Sequence, residues 1–127
     1  MYVYPFEKLE VWQIAKKLVV AVYAVTNELP AEEKFGLVSQ MRRAAISVCS
    51  NLAEGSGRNI SKDQAYFYGM AYSSLMELLN QCLICKDLSW IEEKELLSIR
   101  SQIESISIKI NGLRKSIFNN NTSNNQL

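Results

Sequence analysis

Leu96-Leu97-Ser98-Ile99-Arg100-Ser101-Gln102-Ile103-Glu104-Ser105-Ile106-Ser107-Ile108-Lys109-Ile110-Asn111-Gly112-Leu113 is the stretch that decides the fold. Within it and just beyond, Leu96, Ile99, Ile103, Ile106, Ile110, Leu113 and Ile117 recur at alternating steps of three and four. On an α-helix these positions form one stripe, the seam of left-handed helix-on-helix packing. A helix carrying such a seam needs other helices to cover it.

Reading outward from the seam, each flank supplies one. Ser89-Trp90-Ile91-Glu92 matches a capping box and opens the fourth helix. Ser61-Lys62-Asp63-Gln64 matches another and opens a third, which ends near Leu88 with Phe67, Ala71, Ser74, Leu78, Cys82 and Cys85 on one face. Pro30-Ala31-Glu32-Glu33 reads as the start of the second, with Pro in the first turn and acids at the positive dipole end. Its core row is Leu37, Met41, Ala45, Val48 and Leu52, and it reaches about Gly55, where Gly55, Gly57 and Asn59 supply a turn. The first helix spans about Phe6 to Glu28 and stops before Pro30. Its core stripe reads Trp12, Ala15, Val19, Val22, Thr26 and Leu29, beside a second row of Val11, Ile14, Leu18, Ala21 and Val25.

Short connections force successive helices antiparallel. The fold class is therefore all-α, an up-down-up-down antiparallel four-helix bundle in a single domain. Residues 1–5 are a lead-in and 6–118 the bundle. Residues 119–127, rich in Asn, bury too little to order themselves and read as a disordered tail.

Composition narrows the function classes. Fourteen Lys+Arg against thirteen Asp+Glu give a net charge of +1, without the strong basic excess of many nucleic-acid binders. The richest apolar run, Leu18 to Val25, is far shorter than the roughly 20 residues a membrane-spanning helix needs. Three Cys, an odd number, point to reduced thiols in a cytoplasmic setting.

Helices two and three carry more apolar surface than one core uses. A row of Phe35, Ile46, Cys49 and Ala53, and another of Tyr72, Leu75, Met76, Leu79 and Leu83, lie off the core stripes. A second apolar face left in water marks an interaction site. Self-association is the expectation.

No catalytic set emerges. The chain has no His, which removes Ser-His and Cys-His pairs and the commonest metal ligand. Cys82 and Cys85 fall in the core row, and with Cys49 they make three of the four ligands a zinc site needs. No metal, cofactor or enzymatic activity is expected. The unusual segment is Gln40-Met41-Arg42-Arg43-Ala44-Ala45, followed by Asn51-Leu52-Ala53-Glu54-Gly55. Two readings of the arginines stay open. They pair with acids such as Glu77 across helix or subunit boundaries, or they hold phosphates through their planar forks, with Lys16, Lys17, Arg58 and Lys62 extending the patch.

These blocks, with Leu9-Glu10-Val11-Trp12, Ala15, Gly36-Leu37 and Glu77-Leu78, resemble the four-helix-bundle family encoded by 23S rRNA intervening sequences. That family also includes the accessory variability proteins of diversity-generating retroelements. The resemblance covers about residues 6–118. It implies a bacterial cytoplasmic homopentamer forming a barrel, a non-enzymatic accessory of nucleic acid or ribonucleoprotein. It also implies RNA or DNA, and a reverse transcriptase or other ribonucleoprotein component, as partners. Arg42 and Arg43 match the family's paired arginines; Asn51, Glu54 and Gly55 match its second motif. Cys49 stands where many members have Pro, and Tyr72-Ser73-Ser74 replaces a usual Arg-Gly-Ser.

Overall fold

The heptad stretch is buried as a seam. In the computed structural model, which describes residues 1–125 and side chains as far as Asn119, it belongs to one helix, α4 (Glu93–Asn125). Leu96, Ile99, Ile103, Ile106 and Ile110 lie in the core, and Leu113 and Ile117 pack against its edge. Three further helices cover them: α1 (Glu10–Thr26), α2 (Leu37–Ser56) and α3 (Ser61–Asp87). Each helix packs on two neighbours in the cyclic order α1-α2-α3-α4, and among the described residues diagonal pairs do not meet. No strand occurs among the described residues. The molecule is an antiparallel four-helix bundle.

The helix ends are built differently from what the sequence suggests. Pro5–Lys8 is a separate 3-10 turn, capped by a Glu7 carboxylate that accepts from Tyr4 N–H at 2.7 Å. Ala31–Glu33 is a second 3-10 turn rather than the opening of α2. Glu33 then caps the true helix by accepting from Leu37 N–H at 3.0 Å. Neither expected capping box forms. Ser61 is already helical, with extended Ile60 before it, and the Gln64 amide donates to Arg58 O instead. Ser89 closes α3: at φ 61° it lets Ser89 N–H reach Lys86 O and Trp90 N–H reach Cys85 O, the paired bonds of a Schellman turn. At the head of α4, Glu92 N–H donates to Glu95.

On α1 the buried stripe is Val11, Ala15, Leu18, Val22 and Thr26. The core axis thus passes between the two rows expected, because α1 must face both α2 and α4. Trp12 and Val19 lie half-buried at its edge. The α2 row holds at Met41, Ala45, Val48 and Leu52, joined by Val38 and Ala44, while Leu37 packs at the edge.

The expected apolar flank is the main correction. Leu75 is fully buried, and Cys49, Tyr72, Met76 and Leu79 pack against the core. Among the interface candidates only Phe35, Ile46 and Leu83 remain exposed. The physical cause is the apolar girth of α3, which leaves periodicity alone unable to fix which side faces inward. The backbone of α4 is helical to Asn125, whereas the tail expected from residue 119 falls largely outside the described side chains, and residues 126 and 127 lie outside the described chain.

Candidate nucleic-acid interface

Positive charge runs unopposed along the sequence of α1 beyond Glu10 and along most of α2. No acid occurs between Glu10 and Glu28 or between Glu33 and Glu54, yet those stretches carry Lys16, Lys17, Lys34, Arg42 and Arg43. The acids gather elsewhere. Around the α1–α2 and α3–α4 turns stand Glu28, Glu32, Glu33, Asp87, Glu92, Glu93 and Glu95, against Lys34, Lys86 and Lys94. There the Glu28 carboxyl is pushed above its usual range by a hydrogen bond with Glu95, then by repulsion from the same group, with desolvation and Glu92 adding less. A near-zero net charge therefore conceals an acidic end and a basic waist.

The two arginines of the unusual segment have different fates. Arg42 is held inside its own chain. Its Nε donates to Thr26 Oγ1 at 2.9 Å and its terminal nitrogen to Asn27 Oδ1 at 2.9 Å, while its guanidinium lies 4.4 Å from the Tyr23 ring centre. Buried Thr26 donates in turn to Val22 O at 2.7 Å. Arg42 thus ties α2 to the last turn of α1 through neutral oxygens and a ring face, and no phosphate is needed to satisfy it. Arg43, one residue on, is exposed and makes no hydrogen bond or ion pair among the described residues. It lines a groove of ≈ 450 Å³ with Tyr23, Lys34, Phe35, Ser39 and Ile46.

The lysines divide similarly. Lys16 lies 4.7 Å over the Trp12 ring, close enough to Cys49 to oppose the rise of its thiol, while Lys17 stands exposed without a partner among the described residues. Arg58 is occupied by Glu54 at 3.0 Å and by the Phe67 ring at 4.6 Å. The single patch expected from the sequence is thus not one place: Arg58 and Lys62 sit at the α2–α3 turn, Arg43 in the groove with Lys34 and Phe35, and Lys16 and Lys17 further along α1. Arg114 on α4 lies across Gly69 of α3, its Nε buried and without a hydrogen-bond partner among the described residues.

The second motif builds the α2–α3 contact. Ser47 Oγ meets Ser74 Oγ at 2.8 Å, and Asn51 donates to Ser47 O at 2.9 Å. A Cβ on Gly55 would stand 2.6 Å from the Tyr68 ring, so only glycine lets the helices approach this closely. Glu77 accepts from Gln81 at 3.3 Å and pairs with no arginine among the described residues of its own chain. Trp12 packs edge-on to Phe6 with centroids 5.0 Å apart.

The thiols are set by burial. Desolvation pushes Cys49 up to about 11, with Lys16 pulling the other way, and Cys82 up to about 12 with Cys85 adding to the rise. Cys85 is raised too, first by burial and then by Glu33. Such groups are thiols at neutral pH, not nucleophiles. Among the described residues no cluster of His, Cys, Asp or Glu is placed to hold a metal ion, and no helix is long and apolar enough to cross a membrane.

The model of the 23S rRNA-intervening sequence protein family matches residues 7–112. The chain belongs to that family. No curated protein matches it. In this family member the paired arginines are a half-buried staple and an exposed cation, a distinction invisible in the motif. Sequence reasoning missed Tyr23 and Asn27 as the staple's other half. The signal that points to them is Thr26, a hydroxyl in an otherwise apolar stripe that demands polar company.

Proposed function

We propose that this 23S rRNA-intervening sequence protein is a non-enzymatic accessory factor of a ribonucleoprotein in the bacterial cytoplasm, working as a homo-oligomer, a pentamer by resemblance. Nucleic acid meets the waist of the α1–α2 face. The observation that carries this reading is the acid-free stretch bearing Lys16 and Lys17, an unopposed positive surface on a nearly neutral chain. Phosphates are attracted by such a patch whatever the net charge, and the acidic end keeps a polyanion from lying elsewhere. A reverse transcriptase or another ribonucleoprotein component is the protein partner that the resemblance implies.

Salt-dependent binding tests it. Fluorescence anisotropy of a structured RNA is measured over a salt series for wild type and Lys16→Ala/Lys17→Ala. Log affinity should fall linearly with log salt, and losing both lysines should flatten the slope by about 1–2. An unchanged slope refutes the assigned face. A wild-type monomer in micromolar sedimentation refutes the assembly.

A second reading is a scaffold that binds no nucleic acid and whose arginines serve its own structure. Arg42 favours it, since its donors are spent on Thr26 and Asn27. The same salt series separates the two, because a scaffold shows no RNA binding at any ionic strength.

A further inference from the structure

The groove that Arg43 lines has walls its own fold does not use. Phe35, in the turn just before α2, is 88% exposed and lies outside the packed core, so its ring adds nothing to the bundle. Lys34 Nζ stands 5.4 Å from the centre of that ring. Arg43, exposed and unpaired among the described residues, lines the same ≈ 450 Å³ space. Tyr23 forms another wall, but the Arg42 guanidinium already lies against it. Phe35 is therefore the open ring and Arg43 the open cation. Among the described residues no acid lines this groove or the one adjoining it at Thr26, Asn27 and Pro30. Glu33, close by in the chain, has its carboxylate turned to Leu37 N–H at 3.0 Å.

We propose that this groove captures one unpaired nucleotide of a bound RNA strand, its base stacked on Phe35 and its phosphate on Arg43. The chemistry of the walls selects that occupant. A purely apolar side chain would cover Phe35 but strip water from Arg43 and Lys34 without returning a charge, a costly exchange. A free inorganic anion would satisfy the cations and leave the ring in water. A nucleotide joins a flat π surface to an anion in one molecule. Its base face is open only when it is unpaired, because a duplex hides that face inside its own stack.

The groove also leads somewhere. Lys16, Val20 and Tyr23 follow one another at steps of four and three, so they share one row on α1. Lys16 is then about 10 Å along the helix from Tyr23, at 1.5 Å per residue. Val20 and Ile46, on the way, are both exposed. A strand anchored at Phe35 continues over them to the lysine that meets its backbone. The ring thus holds an unpaired base, and Lys16 and Lys17 hold phosphates on either kind of RNA.

This inference rests on the nucleic-acid half of the proposed function and is independent of its assembly half. The test compares fluorescein-labelled oligouridine, which stays single-stranded, with an A·U duplex RNA of equal length in anisotropy titrations. Phe35→Ala should weaken oligouridine binding at least roughly fivefold, the loss of one stacked base. It should leave duplex affinity and both salt slopes unchanged, because the ring carries no charge. Phe35→Trp should keep the wild-type affinity. Arg43→Ala should weaken oligouridine binding and flatten its salt slope by about 0.7, the share of one phosphate in a single strand. Equal losses on both RNAs, or an oligouridine affinity that Phe35→Ala does not move, overturn the groove; a slope still flattened by Lys16→Ala/Lys17→Ala then keeps the wider reading. Wild-type protein that binds neither RNA overturns both. Sedimentation of Phe35→Ala gives an independent readout: an assembly smaller than wild type makes the ring a contact between copies and overturns its role in stacking.

Discussion

Arg42 of α2 stacks on Tyr23 of α1, its guanidinium 4.4 Å from the ring centre, while the same fork donates to Thr26 and Asn27. One side chain therefore spans the joint between two helices. Removing it as Arg42→Ala should cost about 1–2 kcal/mol of unfolding free energy in a denaturant titration, the value of a partly exposed charged hydrogen-bond set. Arg42→Lys should recover little, since an ammonium has no planar fork to place on both oxygens and the ring. RNA affinity per folded molecule should stay unchanged.

The glycines make opposite predictions for the same change. Helix propensity favours Gly→Ala by up to about 1 kcal/mol in any helix interior. At Gly112 a new Cβ meets nothing within 4 Å, so Gly112→Ala should stabilise by about that amount. At Gly55 it meets Tyr68 ring carbons at 2.6 and 2.8 Å, and Gly55→Ala should destabilise by about 1–3 kcal/mol. Paired thermal melts would show the two shifts in opposite directions.

Ser89 is the one non-glycine residue with positive φ among those described. A side chain in that region is strained by roughly 1–2 kcal/mol, whereas glycine is not. Ser89→Gly should raise the melting temperature without altering α3 or α4. A lower one would mean that the serine hydroxyl is stabilising the turn.

The buried thiols set a limit on alkaline stability. Their folded pKa values exceed the ordinary 9.0, Cys49 reaching about 11 and Cys82 about 12. A raised pKa contributes stability that is complete below the unfolded value and is lost as pH climbs through the folded one. Unfolding free energy should therefore decline from about pH 9 upward, and Cys82→Ala should reduce that decline. At pH 8 the native protein should resist thiol reagents that label the unfolded chain at once.

At the acidic end the sign is the same and the window lower. Glu28 sits above its usual 4.5 because of Glu95, so the folded chain holds that proton more tightly and gains stability as pH falls towards 4.5. Glu95→Gln should stabilise modestly at neutral pH and low salt. The gain should fade on acidification or added salt; a gain insensitive to both would assign it to something other than repulsion.

How much of the structure is legible in the residues differs by element. The α4 seam is legible because Leu96 to Ile110 are apolar at every expected step and nothing apolar competes except Ile108 and Leu97, which face solvent. On α3 the periodicity misleads by a fraction of a turn. Tyr66, Met70, Leu75, Met76, Leu79 and Ile84 spread apolar character around the helix, and its azimuth is seen in close contacts such as Ser47 with Ser74 and Gly55 with Tyr68. Those contacts depend on two helices at once, which no single stretch encodes. The arginine pair stands out as a motif, but its division does not, because whether a guanidinium is spent depends on Tyr23 and Asn27, some fifteen to nineteen residues away.

The separation of an acidic end from a basic waist gives the molecule a permanent electrical asymmetry along its length. In the field of a long polyanion such a body feels a torque before it feels contact, and it arrives broadside with its negative tip swung outward. Orientation is thus selected during approach, so encounters should be productive more often than the modest overall charge would allow.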